Sequence, residues 1–199
     1  MTWEEVRLDT LRKMFSGEGD TVNESDEANQ QYLAAMPQAA NEALELLCAE
    51  GFGIRQAGPL ERQPGEQMLD LETALPHFYP GDPLELYRQQ PDGGLIPVDG
   101  AILTAGRFLR LPGWSGPITA VYTARPEPIG PQTALDSQMP LQPQAAVLMP
   151  LYMASQLYKD DDLTISTQYR NEFEAALERL HRGPYGVQGG GFSSVTGWV

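Results

Sequence analysis

The chain has 199 residues and a mass of 21.9 kDa, enough for a core of its own without staples. Its 27 acidic side chains outnumber 13 basic ones, a net charge of −14, which leaves no electrostatic means of gripping phosphate backbones or anionic lipid. A single cysteine, Cys48, excludes an internal disulfide framework and a multi-cysteine metal site, and no apolar run approaches ~18 residues, which excludes a membrane-spanning segment.

The chain opens on Met1-Thr2-Trp3-Glu4-Glu5, acidic where a secretory signal would be basic, so the expectation is a soluble protein folded in a cytoplasm. Thr2 and Glu5 are spaced as a capping box. A first helix follows, with Trp3, Val6, Leu11 and Met14 near one face, and it stops before Gly17. The polar stretch 17–27 suits a loop. A second helix is predicted from Glu27 to Cys48 on the spacing of Tyr32, Met36, Ala39, Ala40, Ala43 and Leu47. Pro37 should kink it or divide it, and Gly51 should end it.

The middle differs in composition: residues 51–140 hold 13 of the 17 prolines and 12 of the 20 glycines. This points to short strands joined by turns. Period-two alternation marks 68–73, 84–87, 108–111 and 118–123 as strands, with Asp92-Gly93-Gly94 and Pro112–Gly116 as hairpin turns. Four to six such strands make a small antiparallel sheet or sandwich. Helix is expected again over 143–159, with Pro150 as a kink and Val147, Leu148, Leu151, Tyr152, Ser155 and Tyr158 as its buried stripe. Asp160-Asp161-Asp162 breaks it, and one of these acids should cap a last helix over ~163–181, striped by Ile165, Tyr169, Phe173, Ala176, Leu177 and Leu180. The segment 183–199 has six glycines and no charged side chain, yet carries Tyr185, Phe192, Val195, Trp198 and Val199. Those five residues are the candidates for a docking arm.

The fold class read from this order is α+β: a helical scaffold of about four helices (residues 1–50 and 141–182), an inserted β-rich domain (51–140) and an extended C-terminal arm (183–199). Enzyme signals are poor. His181 sits at a helix end that favours a cation, and His77 lies in a turn-rich stretch. Gly113-Trp114-Ser115-Gly116 lacks the spacing of a nucleophile elbow, and Cys48 on an apolar helix face reads as a small buried hydrophobe. No Gly-Lys phosphate loop occurs. Asp160, Asp161 and Asp162 read as a cap with solvated charge in preference to a calcium site. No cofactor or metal is called for.

Met149-Pro150-Leu151-Tyr152-Met153-Ala154-Ser155-Gln156-Leu157-Tyr158-Lys159-Asp160-Asp161-Asp162, then Tyr169-Arg170-Asn171-Glu172-Phe173-Glu174, together with the earlier Met36-Pro37-Gln38-Ala39-Ala40, resembles head–tail adaptor (neck, or connector) proteins of tailed bacteriophages. The resemblance covers the helical ends, roughly half of the chain; the β-rich middle would be an insert. It implies a structural virion protein without enzymatic activity, located in the neck and assembled in the host cytoplasm. It further implies a homo-oligomeric ring, a dodecamer, beneath the portal protein, joined below to further neck or tail proteins. DNA would pass through such a ring without specific binding. A head-completion stopper is the neighbouring reading. From a different class comes a β-rich glycan- or peptide-binding module with Trp114 and Tyr122 as a platform; last comes a hydrolase using two carboxylates of the middle.

Overall fold

The computed structural model describes residues 1–15, 27–62, 67–80, 83–90, 92–112 and 116–182. It is α+β, with helices α1 (Trp3–Met14), α2 (Glu27–Leu47), α3 (Leu71–Ala74), α4 (Pro143–Ala146), α5 (Met149–Leu157) and α6 (Leu163–Arg182). Seven short strands are seen among the described residues: β1 (Arg55–Leu60), β2 (Leu69–Asp70), β3 (Glu85–Gln89), β4 (Leu95–Pro97), β5 (Ile102–Thr104), β6 (Phe108–Arg110) and β7 (Ile118–Thr123). The chain forms two compact units. One contains Met1–Ala40, Thr133–Gln138 and the stretch from Pro143; the other contains Asn41–Gln132 and Met139–Gln142.

In the first unit the capping box forms as the sequence dictates: the Glu5 N–H donates to Thr2 Oγ1 (3.2 Å) and the Thr2 N–H to Glu5 Oε2 (2.8 Å). Two further first-turn donors of α1, the N–H groups of Trp3 and Glu4, reach the carbonyls of Ser137 and Leu135 at 2.9 Å. Trp3, Val6, Thr10, Leu11 and Met14 are buried at three- and four-residue spacing. Thr10 is tolerated there because its hydroxyl donates to the Val6 carbonyl (2.7 Å) and lies 3.8 Å from Met153 Sδ. Helix α2 continues through Pro37 as one element, so the expected division is not seen.

The single helix expected over 143–159 is two. The helix is interrupted at Val147–Leu148, and α5 starts afresh with Pro150 in its first turn, where a missing N–H costs nothing. Val147, placed by periodicity in the buried stripe, lies in the interruption and is 56% exposed. Met149, Tyr152, Met153 and Ser155 of α5 are buried, and Phe173 of α6 packs edge-on against Tyr152 (5.3 Å between ring centres, 66°). Ser166 Oγ donates to the Ser155 carbonyl (2.8 Å), which fixes α6 along α5 without leaving a polar group unpaired.

The second unit holds two antiparallel sheets, ordered β1-β7-β3-β4 and β2-β6-β5. They share one apolar core that includes Leu60, Leu69, Leu71, Leu75, Leu86, Leu109, Ile118 and Tyr122. β1 is absent from the sequence-based expectation: Arg55-Gln56-Ala57-Gly58-Pro59-Leu60 shows no alternation, and its register is imposed by β7 (Gln56 opposite Tyr122, Leu60 opposite Ile118). Pro59 is admissible because β1 is an edge strand. The strand expected over 68–73 stops at Asp70, whose carboxylate accepts from the Glu72 N–H (3.1 Å) and caps α3. The Asp92–Gly94 turn joins β3 to β4 as expected, with Gly93 at φ 87°. The Pro112–Gly116 segment is not a hairpin, since β6 and β7 belong to different sheets; residues 113–115 lie outside the described residues. Cys48 is fully buried, and the helix run ends at Gly51 (φ 84°).

Candidate functional site

The acidic turn after α5 is built into the first unit's frame. Asp162 Oδ1 accepts from the N–H groups of Thr164 (2.8 Å) and Ile165 (3.1 Å), so Asp162 caps α6 and its charge offsets the positive end of that helix. Asp161 accepts a hydrogen bond from the Tyr32 hydroxyl. Asp160 is exposed. Among the described residues no group of three or more His, Cys, Asp or Glu is placed to hold a metal ion.

Around this turn three tyrosines tie down chain ends. The Tyr158 hydroxyl donates to the Met14 carbonyl and the Tyr169 hydroxyl to the Lys13 carbonyl, two last-turn carbonyls of α1 that have no partner further along their own helix. The two rings stack (6.2 Å, 11°), and Phe15 meets Tyr32 edge-on (5.5 Å). Burial pushes the Tyr158 and Tyr169 hydroxyls above their ordinary pKa, helped at Tyr158 by the neighbouring Tyr169, Asp161 and Asp162 and at Tyr169 by Glu172. The hydrogen bond to Asp161 is the main cause of the upward shift at Tyr32. The folded state therefore holds neutral phenols. Their stabilisation is complete below pH 10.0, the ordinary tyrosine value, and is lost as pH rises through the higher folded-state values. Circular dichroism of the wild type should show helix loss setting in above that pH. A Tyr158→Phe, Tyr169→Phe double variant should show a shallower alkaline dependence, and equal slopes would contradict the assignment.

Two carboxylates of the second unit, Asp70 and Glu85, are shifted the opposite way from a general acid. Arg107 holds Asp70 below the usual carboxylate range, donating from Nε at 2.8 Å and from Nη2, and its Nη1 lies 2.6 Å from Glu72. Glu85 is lowered first by the Tyr87 hydroxyl (2.6 Å) and then by Arg55 (2.7 Å). Groups held ionised by cations serve structure; a proton donor needs the reverse shift. His77 stands half-exposed at φ 53°, 3.7 Å from Glu127. Tyr122, expected on an exposed platform, is 2% exposed, since it lies on the core-facing side of β7 with Ile118 and Ala120, and its hydroxyl donates to the Pro76 carbonyl (2.9 Å). Trp114, its expected companion, lies outside the described residues, as do the arm residues Tyr185, Phe192, Val195, Trp198 and Val199.

One surface escapes sequence reasoning. β4 and β5 are edge strands of their respective sheets, opposite the edges formed by β1 and β2. They present Leu95 (56% exposed), Ile96 (45%), Ile102 (50%) and Leu103 (39%) to solvent. A signal is available: 93–106 contains one acidic side chain, Asp99, in a chain of net charge −14. On the first unit the outer face of α6 is likewise open, with Leu163, Thr167, Asn171 and Ala175 four residues apart and Glu172 as the one charged side chain beside them. No helix among the described residues is long and apolar enough to cross a membrane. No family model matches the chain, and no curated protein matches it.

Proposed function

We propose that this chain is a structural subunit of a bacteriophage neck, a head–tail adaptor that forms a ring under the portal protein and continues the DNA channel toward the tail. The observation that carries the reading is the exposure of Leu95, Ile96, Ile102 and Leu103 on two strand edges of a strongly acidic chain, a surface suited to assembly. The resemblance of the helical ends to adaptors supplies the kind of assembly. The acidity fits a channel wall, because carboxylates facing the channel repel phosphates and keep DNA from adhering. Asp160, Asp161 and Asp162 of the acidic turn are all exposed and are the candidates for such a lining.

In this reading the uncharged segment 183–199 fastens the subunit to the portal or to a neighbouring copy, with Phe192 and Trp198 as anchors. Ordering a glycine-rich segment opposes docking, so two aromatic anchors at about 1.5–3 kcal/mol each need the avidity of a ring. Negative-stain microscopy of the protein mixed with portal protein tests the proposal. Rings on the portal are expected. Deleting residues 184–199 should abolish docking while circular dichroism stays unchanged. A stopper, the neighbouring role within the same class, would bind only after another neck protein had covered the portal.

A further inference from the structure

We propose that copies of this chain meet head-to-tail through two strand edges, the free edge of β4 in one copy against the free edge of β5 in the next. Both strands pair on one side only, β4 with β3 and β5 with β6. All three residues of each strand are exposed, so neither face of either edge is claimed by the fold. Water on Leu95, Ile96, Ile102 and Leu103 is unfavourable, and the second unit already has a closed core without them.

The occupant follows from charge. Two chains of net charge −14 repel wherever their acidic faces approach, so self-contact is favoured where charge is missing. The stretch 93–106 has only Asp99. A basic partner would gain little on this neutral surface, whereas a second copy offers an apolar edge of matching length.

The pairing of unlike edges follows from the backbone. The Val98 N–H donates to the Leu86 carbonyl (2.8 Å), so alternation along β4 turns positions 95 and 97 to the free edge. Position 97 is proline and has no N–H. Two β4 edges set against each other would share that missing donor. β5 has no proline; the Thr104 carbonyl accepts from the Arg107 N–H (3.1 Å) on the β6 side, so alternation turns Leu103 to the free edge, where its N–H can serve a carbonyl that β4 exposes. Contact between unlike patches is heterologous: repeated around an axis it closes a ring, where like patches would stop at a dimer. The inference rests on the neck reading for the purpose of the ring, and on the two edges alone for the contact.

Single-cysteine chemistry tests it, because the native Cys48 is fully buried and does not compete. Leu95→Cys and Ile102→Cys chains, one of them mass-tagged, are mixed and treated with a short bismaleimide. The Leu95–Ile102 product should form about tenfold faster than the homodimer of either variant or of Glu127→Cys, a control at an exposed position of the same unit. The excess should grow with added NaCl, as salt screens repulsion between acidic copies. A dominant Leu95–Leu95 product, or no product above the control rate, would overturn the inference. If cross-linking fails while rings still form on portal, other surfaces hold the ring and the neck reading survives. If cross-linking succeeds and no portal docking is found, the contact stands and the neck reading falls.

Discussion

Phe173→Ala is expected to lower the stability of the protein by about 3–5 kcal/mol, the usual range for removing a fully buried aromatic ring. Phe173 is the one large side chain of α6 with no exposure; Ile165, Tyr169, Ala176, Leu177 and Leu180 are only half-buried. Its ring meets Tyr152 edge-on and lies 5.7 Å from the Arg170 guanidinium, which also stands 5.2 Å above Tyr152. Truncation therefore removes apolar burial, an aromatic pair worth roughly 0.5–1.5 kcal/mol and one face of a cation–π contact. Urea unfolding followed by circular dichroism measures the loss. Phe173→Leu should cost much less, because it refills most of the volume. Arg170→Ala should cost about 1 kcal/mol, since that side chain is partly solvated and its pairing with Glu174 is a surface ion pair. A Phe173→Ala loss no greater than the Arg170→Ala loss would mean that α6 is held chiefly by its polar ties, Ser166 to Ser155 and Tyr169 to Lys13.

The helices are legible in the sequence because their signals are local. Thr2 with Glu5, the spacing of Met36, Ala40, Ala43 and Leu47, and Asp162 before Leu163 each act within one or two turns, and each forms as read. Failures occur where a tertiary partner decides. Leu71 continues the alternation of Leu69, but Asp70 caps the Glu72 N–H and turns the chain into α3, helped by the Leu71 N–H reaching the Arg107 carbonyl (3.1 Å). β1 exists because β7 needs a second neighbour, which no pattern within Arg55–Leu60 announces. β4 and β5 show no alternation because neither of their faces is buried, and alternation reports burial on one side. The surface most suited to assembly thus carries the weakest periodic signal. Tyr122 is misplaced by sequence for a related reason: aromatic residues in strands serve equally as core and as platform, and Tyr122 shares the core-facing side of β7 with Ile118 and Ala120.

Asn41→Ala should cost about 2–4 kcal/mol, far more than an average partly buried asparagine. Its side chain holds both backbone groups of one residue: Nδ2 donates to the Ile129 carbonyl (2.9 Å) and the Ile129 N–H donates to Oδ1 (2.7 Å). The segment it clasps reads Pro126-Glu127-Pro128-Ile129, and its two prolines bring no N–H of their own. Ile129 is itself buried, so removing the amide strands a donor and an acceptor where water cannot readily replace it. Asn41→Asp separates the two bonds. Its carboxylate still accepts from the Ile129 N–H, but when ionised it opposes the Ile129 carbonyl, and when protonated it can donate to it. The folded-state pKa of this new aspartate is then raised above about 3.9, its unfolded value. A raised carboxyl pKa means that the folded state binds the extra proton, so the added stability is present at low pH and is lost as pH rises through the folded pKa. The deficit of Asn41→Asp relative to wild type should therefore widen from acid to neutral pH, while that of Asn41→Ala stays constant. A deficit in the Asp variant that instead narrows toward neutral pH would mean that the carbonyl takes its hydrogen bond elsewhere, and that Asn41 holds the Pro126–Ile129 segment through the Ile129 N–H alone.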